Sequence, residues 1–408
     1  MTAGDSVEAD AARLRAHLAE LLAEDGRLKD PAWRKAVETV PRHRFMPGFY
    51  LDAMERTPQG LTVWHPVTAE RDHGRWLAAA YSNLTLITQF DGEEPDWQHA
   101  VERHGGAPTS SSTLPSLVVR MWEDADLAKE HTVLEIGTGT GYSTALACER
   151  LGSEAVTSIE VDPHLLDQAA TTLYGLGYTP DLAVADGLYG YWPCAPYDRI
   201  VAACSFRSVP SALIAQTRPG GKILLTLSGW LYGYARVLLT VTGDGTAEGS
   251  LLPGTVSFMS ARAHAAPAFG NPAHWASTLA ERARTARHTP ELINAASEEA
   301  FHLRFLAQCA VPNTQMLTVD DATYLIDVVS GSAAILIPGR EGWQVRQHGP
   351  LLLWDAVEDA IDTWQNGGRP NPTGFGLTIT RDGQRVWLGE PSGPSWSLPE
   401  PAGPAPRT

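Results

Sequence analysis

The sequence predicts an α/β protein built on a doubly wound, mainly parallel sheet, with helices ahead of it and an additional C-terminal α+β domain behind it. Three observations carry that expectation. The apolar run Val133-Leu134-Glu135-Ile136 ends in glycines at alternate positions, Gly137, Gly139 and Gly141, and passes into Ser143-Thr144-Ala145-Leu146, which reads as strand, glycine turn, helix in the Rossmann-like manner. Strand and helix patterns then alternate as far as residue 227. Beyond the Ala-, Pro- and Gly-rich stretch 265–273 the pattern changes, which places a domain boundary there.

Taken in order, apolar residues at helical spacing (Leu14, Leu18, Leu21, Leu22) predict an amphipathic helix from Val7 to Leu28, and Pro31 starts a second one through Ala36. Val40-Pro41-Arg42-His43-Arg44-Phe45-Met46-Pro47, bracketed by prolines, reads as an extended connector whose charges form a surface cluster. Short strand-like and helical pieces fill 61–89. Asp91 to Gly106 is a polar loop beside the active site, with Trp97 in a short helical patch. The hydroxyl-rich Pro108-Thr109-Ser110-Ser111-Ser112-Thr113-Leu114-Pro115 leads into a helix over 116–123, for which an ordinary N-cap is the alternative reading. The alternating region comprises helices 141–151, 163–176 and 208–216 and strands 155–160, 181–184, 197–203 and 221–227. Tyr234–Val241 and Thr255–Met259 are expected to pair at the sheet edge. The C-terminal region is read as helices 274–286, 290–307 and 354–367, strands near 322–328, 333–337 and 342–346, and a hairpin 376–388 turning at Asp382-Gly383. The domain division is thus 1–125 (helices and substrate loops), 126–265 (core sheet), 266–400 (accessory domain) and a disordered tail, 401–408.

The glycine turn predicts a nucleotide-like ligand, because glycine lets a ligand approach the backbone and the following helix presents free N–H groups. The spacing Gly-x-Gly-x-Gly is tighter than the dinucleotide pattern, and Glu135 stands two residues before the first glycine. A carboxylate there repels a pyrophosphate and attracts a ligand with an ammonium and a sulfonium, which favours S-adenosylmethionine over NAD. Glu160, at the end of the next strand and about twenty residues on, is placed to bind ribose hydroxyls. Asp186, followed by Gly187 at the end of a third strand, can accept from the adenine amino group.

The chain of 408 residues is long enough for two domains. Its formal charge of −16, with no dense basic run, argues against a nucleic-acid partner. Cys148, Cys194, Cys204 and Cys309 show no zinc spacing, so no metal is expected and free thiols in a reducing compartment are. No membrane-length apolar run or basic-apolar leader is visible, and a cytoplasmic protein without a membrane partner is expected. The oligomeric state is left open.

The residues from about Pro31 to Arg262 resemble the protein-L-isoaspartate O-methyltransferase family. The resemblance rests on Val40 to Pro47, Ser111-Ser112-Thr113-Leu114-Pro115, Val133 to Tyr142, Ser158-Ile159-Glu160, Asp186-Gly187 and Arg218-Pro219-Gly220-Gly221. It implies a class I methyltransferase sheet that binds S-adenosylmethionine through Glu135, Gly137, Thr138, Gly139, Gly141, Tyr142, Glu160, Asp186 and Gly187. It also implies methyl transfer to an aspartyl or isoaspartyl carboxylate of a peptide or protein, giving an ester that closes to a succinimide. The family's acceptor hydroxyl falls on Thr113 and its upstream Thr on Ser111, with Ser112 between them. The chain departs from the pattern in three places: Thr stands for Ser at 113, Ser-Ser-Ser replaces Gln-Thr-Ile, and Asp91–Gly106 is inserted. The C-terminal domain resembles the tail of larger actinobacterial members that accompany ribosomal-peptide maturation with ATP-grasp or lanthipeptide enzymes. The expected acceptor is therefore an Asp of a cyclised ribosomal peptide, with general isoaspartate repair, and beyond it small-molecule methylation, as the alternatives. A carboxylate is ionised at neutral pH, so the transfer needs alignment and water removal rather than a strong base.

Overall fold

The computed structural model describes residues 3–278 and 283–400 and divides into two units, one ending at Ala203 and the other starting at Cys204. The tail expected at 401–408 lies outside the described residues.

In the first unit Ala3–Glu24 is helical, and Pro31–Thr39 follows with Asp30 as N-cap, its Oδ1 accepting from Ala32 N at 2.8 Å. Arg42–Phe45 then forms a 3₁₀ turn, not the extended connector expected. The next stretch builds an antiparallel sheet that sequence periodicity did not resolve, in the spatial order Arg103–His104, Thr62–Thr68, Gly48–Arg56, Leu86–Phe90, Pro108–Ser112. Its inner face buries Phe49, Val63, Val67, Leu86 and Ser112. Trp97 sits in a bend of the 91–102 loop, without the helical patch expected, because this polar stretch makes no helical hydrogen-bond ladder.

The predicted parallel sheet follows, in the order Tyr197–Phe206, Val133–Ile136, Val156–Glu160, Asp181–Val184. Val133 lies opposite both Val156 and Arg199, and Thr157 opposite Asp181, all in parallel register. The central strand is buried from end to end, as a strand covered on both faces must be. Helices Pro115–Asp124, Tyr142–Leu151 and Pro163–Gly175 accompany it. The strand order places the carboxyl ends of Val133–Ile136 and Val156–Glu160 side by side, the usual location of a ligand crevice.

The second unit holds two runs of antiparallel strands, the first belonging to a ten-stranded mixed sheet and the second forming a five-stranded sheet. One runs Thr217–Leu227, Ala235–Gly243, Thr246–Leu251, Phe375–Thr380, Gly383–Leu388, Ser395–Ser397, and the other Arg284–Thr285, Gln344–His348, Ser332–Ile337, Ala322–Asp327, Gln315–Val319. The partner of the 235–243 strand is therefore 246–251, and 255–259 forms no strand: Asp244 (φ 53°) and Gly245 (φ 76°) close a tight hairpin first. Of the helix expected over 274–286, Pro272–Thr278 is helical, residues 279–282 lie outside the described residues, and Arg284–Thr285 is extended. The helix Leu353–Asn366 buries Glu358 completely, against Arg284 at 2.7 Å, Arg287 at 3.2 Å and the Arg287 backbone N–H at 2.6 Å. Among the described residues no helix is long and apolar enough to cross a membrane, no group of His, Cys, Asp and Glu could hold a metal ion, and no disulfide joins the cysteines.

Candidate functional site

Gly137, Gly139 and Gly141 all take positive φ (94°, 53° and 91°), so the alternate spacing is a backbone requirement. A Cβ on Gly141 would lie 3.1 Å from Ala169 Cβ and 3.4 Å from the Phe45 ring, which also packs edge-on to Tyr142. Gly141 caps the helix that follows without any side-chain hydrogen bond, leaving the first-turn N–H groups facing the turn. Thr138 Oγ1 and Ser158 Oγ meet at 2.7 Å and fix the turn to the next strand.

Glu135 is buried under this turn. Its Oε2 accepts from Thr144 Oγ1 at 2.5 Å and from Ser158 Oγ at 2.8 Å, while Oε1 is buried with no partner of hydrogen-bonding geometry. Burial pushes its carboxyl above the usual carboxylate range, against the pull of the Ser143, Thr144 and Ser158 hydroxyls. A buried carboxylate oxygen without a donor is what a cationic ligand group would satisfy. Glu160 Oε2 accepts from Gly139 N at 3.0 Å, and Oε1 accepts from Val161 N and Asp162 N at 2.9 and 3.1 Å, so this carboxylate lies against the glycine turn. Asp186 closes its own turn, accepting from Leu188 N at 2.9 Å, and the preceding Ala185 N–H donates to Glu160 O, which sets the Asp186-Gly187 corner beside Glu160.

The hydroxyl segment is a strand, and its side chains alternate. Ser110 and Ser112 point inward, Ser110 Oγ accepting from Thr88 Oγ1 at 3.1 Å and Ser112 Oγ accepting from Arg42 Nε at 3.1 Å. Ser111 and Thr113 are half-buried, and among the described residues their hydroxyls have no partner. The helix after them is capped by Leu114 with no side-chain hydrogen bond, so the N-cap alternative for these hydroxyls does not hold. The glycine turn meets this strand: a Cβ on Gly139 would lie 3.7 Å from Ser111 O and 3.9 Å from Ser110 Oγ.

Arg42 and His43 are buried, not the surface cluster their charge suggested. The five N–H groups of the Arg42 guanidinium reach six acceptors at 3.0–3.1 Å, one N–H on Nη2 being shared: Ser112 Oγ and the carbonyls of Ala80, Ser82, Leu84, Ser112 and Thr113. Burial lowers its pKa to about 10, which leaves it charged at neutral pH, and its Cζ lies 5.7 Å from the Tyr142 ring centroid. His43 Nδ1 lies 2.7 Å from Tyr81 Oη, and burial lowers its pKa to about 4. The one available signal was the pair of prolines around an Arg-His-Arg-Phe-Met run, which does not reveal carbonyl partners 38 to 71 residues away.

Residues 90–238 match the family model for protein-L-isoaspartate(D-aspartate) O-methyltransferase. The chain is 34% identical over 140 residues to a protein-L-isoaspartate O-methyltransferase of Thermococcus onnurineus, covering 34% of this chain and 63% of that one. It is 41% identical over 115 residues to the protein of that name from Ignicoccus hospitalis, covering 28% and 54%. Against the one from Methanosarcina mazei it is 27% identical over 243 residues, covering 59% and 79%. The first two matches thus span between half and two thirds of those relatives. A solved structure of a protein-L-isoaspartate O-methyltransferase superposes with a TM-score of 0.50 at 19% identity, covering 92% of this chain and all of that one, which establishes a shared fold.

Proposed function

We propose that this protein is an S-adenosylmethionine-dependent carboxyl methyltransferase that acts on an aspartyl or isoaspartyl side chain of a protein or peptide. The observation that carries the reading is the approach of Gly139 to Ser111 O and Ser110 Oγ, which sets the donor turn against a segment with two hydroxyls unengaged among the described residues, Ser111 and Thr113. When bound, S-adenosylmethionine supplies an electrophilic methyl group on a sulfonium. The residues present fit it: Glu135 Oε1 takes the ammonium, Gly137 to Tyr142 admit the chain of the ligand to the backbone, Glu160 exchanges a backbone donor for ribose hydroxyls, and Asp186-Gly187 borders the adenine. Ser111 and Thr113 donate to the acceptor carboxylate and hold one oxygen in line, without protonating it. Ser112 acts from beneath, through Arg42.

For the acceptor, our first reading is an Asp of a cyclised ribosomal peptide. It is supported by the departures from the family pattern at 111–113 and by the insertion 91–106, which change the acceptor side while the donor side keeps its acids. General isoaspartate repair is the second reading. It is favoured by the fold likeness to an isoaspartate methyltransferase over 92% of the chain, since residues 266–400 are then no mark of peptide maturation by themselves. A cytoplasmic setting is part of the proposal for either reading.

The test is methyl transfer from labelled S-adenosylmethionine to a generic isoaspartyl hexapeptide, to its aspartyl isomer and to a cyclised Asp-containing peptide. Transfer to the isoaspartyl peptide at least as fast as to the cyclised one makes the protein a repair enzyme. Cofactor binding with no transfer to any carboxylate refutes the activity.

A further inference from the structure

The antiparallel sheet of residues 48–112 has an outer face that the proposed reaction uses only at Ser111. Tyr50 pairs with Ile87, and Ile87 with Ser111, so these three side chains share one face in one row. Tyr50 also pairs with Pro66 and Asp52 with Trp64, which brings Trp64 to the same face by the two-residue period. The inserted loop returns to this face. Trp97 covers Gly48, where a Cβ would come 2.4 Å from the indole, and its ring lies 5.3 Å from that of Tyr50. Phe90 supports the group from within, 5.5 Å from Tyr50 and 5.2 Å from Trp64. Tyr50, Trp64 and Trp97 are only half-buried, whereas the opposite face of the sheet is core.

One feature points to a ligand rather than to plain packing, and a second holds the rings in place. Trp64 Nε1 is buried without an acceptor, although an indole N–H out of water normally finds one. Arg71 holds the loop through Gln98 O at 3.1 Å, and Arg103 holds it through Glu93 at 2.9 Å and stacks on Phe90. The loop is thus tied down over the rings.

We propose that Tyr50, Trp64 and Trp97 form a shelf that takes an apolar side chain of the acceptor peptide close to the methylated residue, with Trp64 Nε1 donating to a peptide carbonyl. The shelf is continuous with the acceptor strand: two strand spacings separate Tyr50 from Ser111, about 10 Å, which an extended peptide covers in about three residues. The inference rests on the proposed carboxyl methylation and adds sequence selectivity to it, which the insertion supplies in this chain.

Three isoaspartyl acceptors test it with the full-length protein: a peptide with Phe two and three residues to either side of the isoaspartate, the same peptide with Ser there, and a blocked isoaspartyl tripeptide. The wild type is expected to prefer the Phe peptide by about tenfold in kcat/KM, mainly through KM. Trp97→Ala is expected to erase most of that preference and Trp64→Phe, which removes only the carbonyl donor, to raise KM for the Phe and Ser peptides alike, both leaving the tripeptide rate unchanged. Equal rates on the Phe and Ser peptides in the wild type, or a preference that survives Trp97→Ala, overturn the shelf. Calorimetric binding of the peptides, measured alongside, separates the two ideas: tighter binding of the Phe peptide, lost in Trp97→Ala, with no methylation at all upholds the shelf and refutes the methyltransferase reading.

Discussion

Arg42 Nη2 donates to Thr113 O at 3.1 Å, and the same nitrogen reaches Ser112 O and Leu84 O at 3.0 Å. A buried guanidinium with no carboxylate beside it among the described residues is thereby dissolved in backbone carbonyls, which tie the 80–84 turn to the end of the strand that faces the glycine turn. Lysine has three donors on a single nitrogen and cannot reach six acceptors. Arg42→Ala should cost at least about 3 kcal/mol, since several buried acceptors lose their partner at once. Arg42→Lys should fold and bind S-adenosylmethionine but lose most of kcat. Thermal unfolding and kinetics on the isoaspartyl peptide check this, and a Lys variant with the wild-type kcat would remove Arg42 from any positioning role.

Glu135 is the counterpart on the donor side. Its folded pKa is raised by burial, so the charged form is disfavoured in the native state; the stability it gives is complete below the unfolded pKa and is lost as pH rises through the folded one. Glu135→Gln should therefore make the ligand-free protein at least as stable at pH 7 while weakening its hold on S-adenosylmethionine. Wild-type affinity should increase with pH as the carboxyl ionises, and the variant should show no such rise. Calorimetry between pH 5 and 8 measures both, and a Gln variant that binds as tightly as the wild type throughout would refute the ammonium assignment.

Glu160 faces the turn from the neighbouring strand, with Gly139 N–H on one oxygen. Glu160→Ala should lose about 1.5–3 kcal/mol of cofactor affinity, the range for hydrogen bonds to a charged group. Equal dissociation constants for the variant and the wild type would show that its carboxylate serves only the glycine turn.

The donor half was legible in the sequence because its determinants are local. The positive-φ glycines, the acid two residues before them and the acids at successive strand ends each lie within a few residues of the backbone they shape. The acceptor half was not. Whether Ser112 or Thr113 faces inward depends on strand pairing with Leu86 and Ile87, and the burial of Arg42 depends on carbonyls of residues 80–84 and 112–113. Nothing in a run of five hydroxyl residues, Thr109 to Thr113, marks it as a strand. Past the middle of the chain, Asp244-Gly245 is a hairpin signal of the same kind as Asp382-Gly383, and it pairs 235–243 with 246–251, which leaves 255–259 without a strand.

His43 gives the fold an acid limit. Its ring is neutral in the folded protein, with a pKa lowered from 6.5 to about 4, so the unfolded chain binds the proton more readily. Stability should therefore fall as pH drops from about 6.5 towards 4, by at most about 3 kcal/mol and less where water reaches the ring edge. His43→Gln should flatten that part of the profile, as read by urea unfolding at several pH values. A profile equally steep in the variant would place the acid sensitivity elsewhere.

Ser112 and Thr113 are neighbours with opposite duties, and the alternation of the strand makes the difference measurable. Ser112 Oγ lies on the buried face under Arg42 Nε, so Ser112→Ala strips a buried charged donor of a partner and should destabilise by about 1–3 kcal/mol. Thr113 is half-buried with its hydroxyl unengaged among the described residues, so Thr113→Ala should leave stability and cofactor affinity close to wild type. On the proposed function it should lower kcat/KM for the isoaspartyl peptide by about ten- to a hundredfold, the worth of one hydrogen bond to a charged acceptor. Thr113→Ser keeps the hydroxyl and should restore most of the rate, and Ser111→Ala should resemble Thr113→Ala because both hydroxyls are half-buried and unengaged among the described residues. If Thr113→Ala turned over at the wild-type rate while Ser112→Ala lost activity without losing stability, the acceptor would bind the other face of the strand and the assignment of hydroxyls would be reversed.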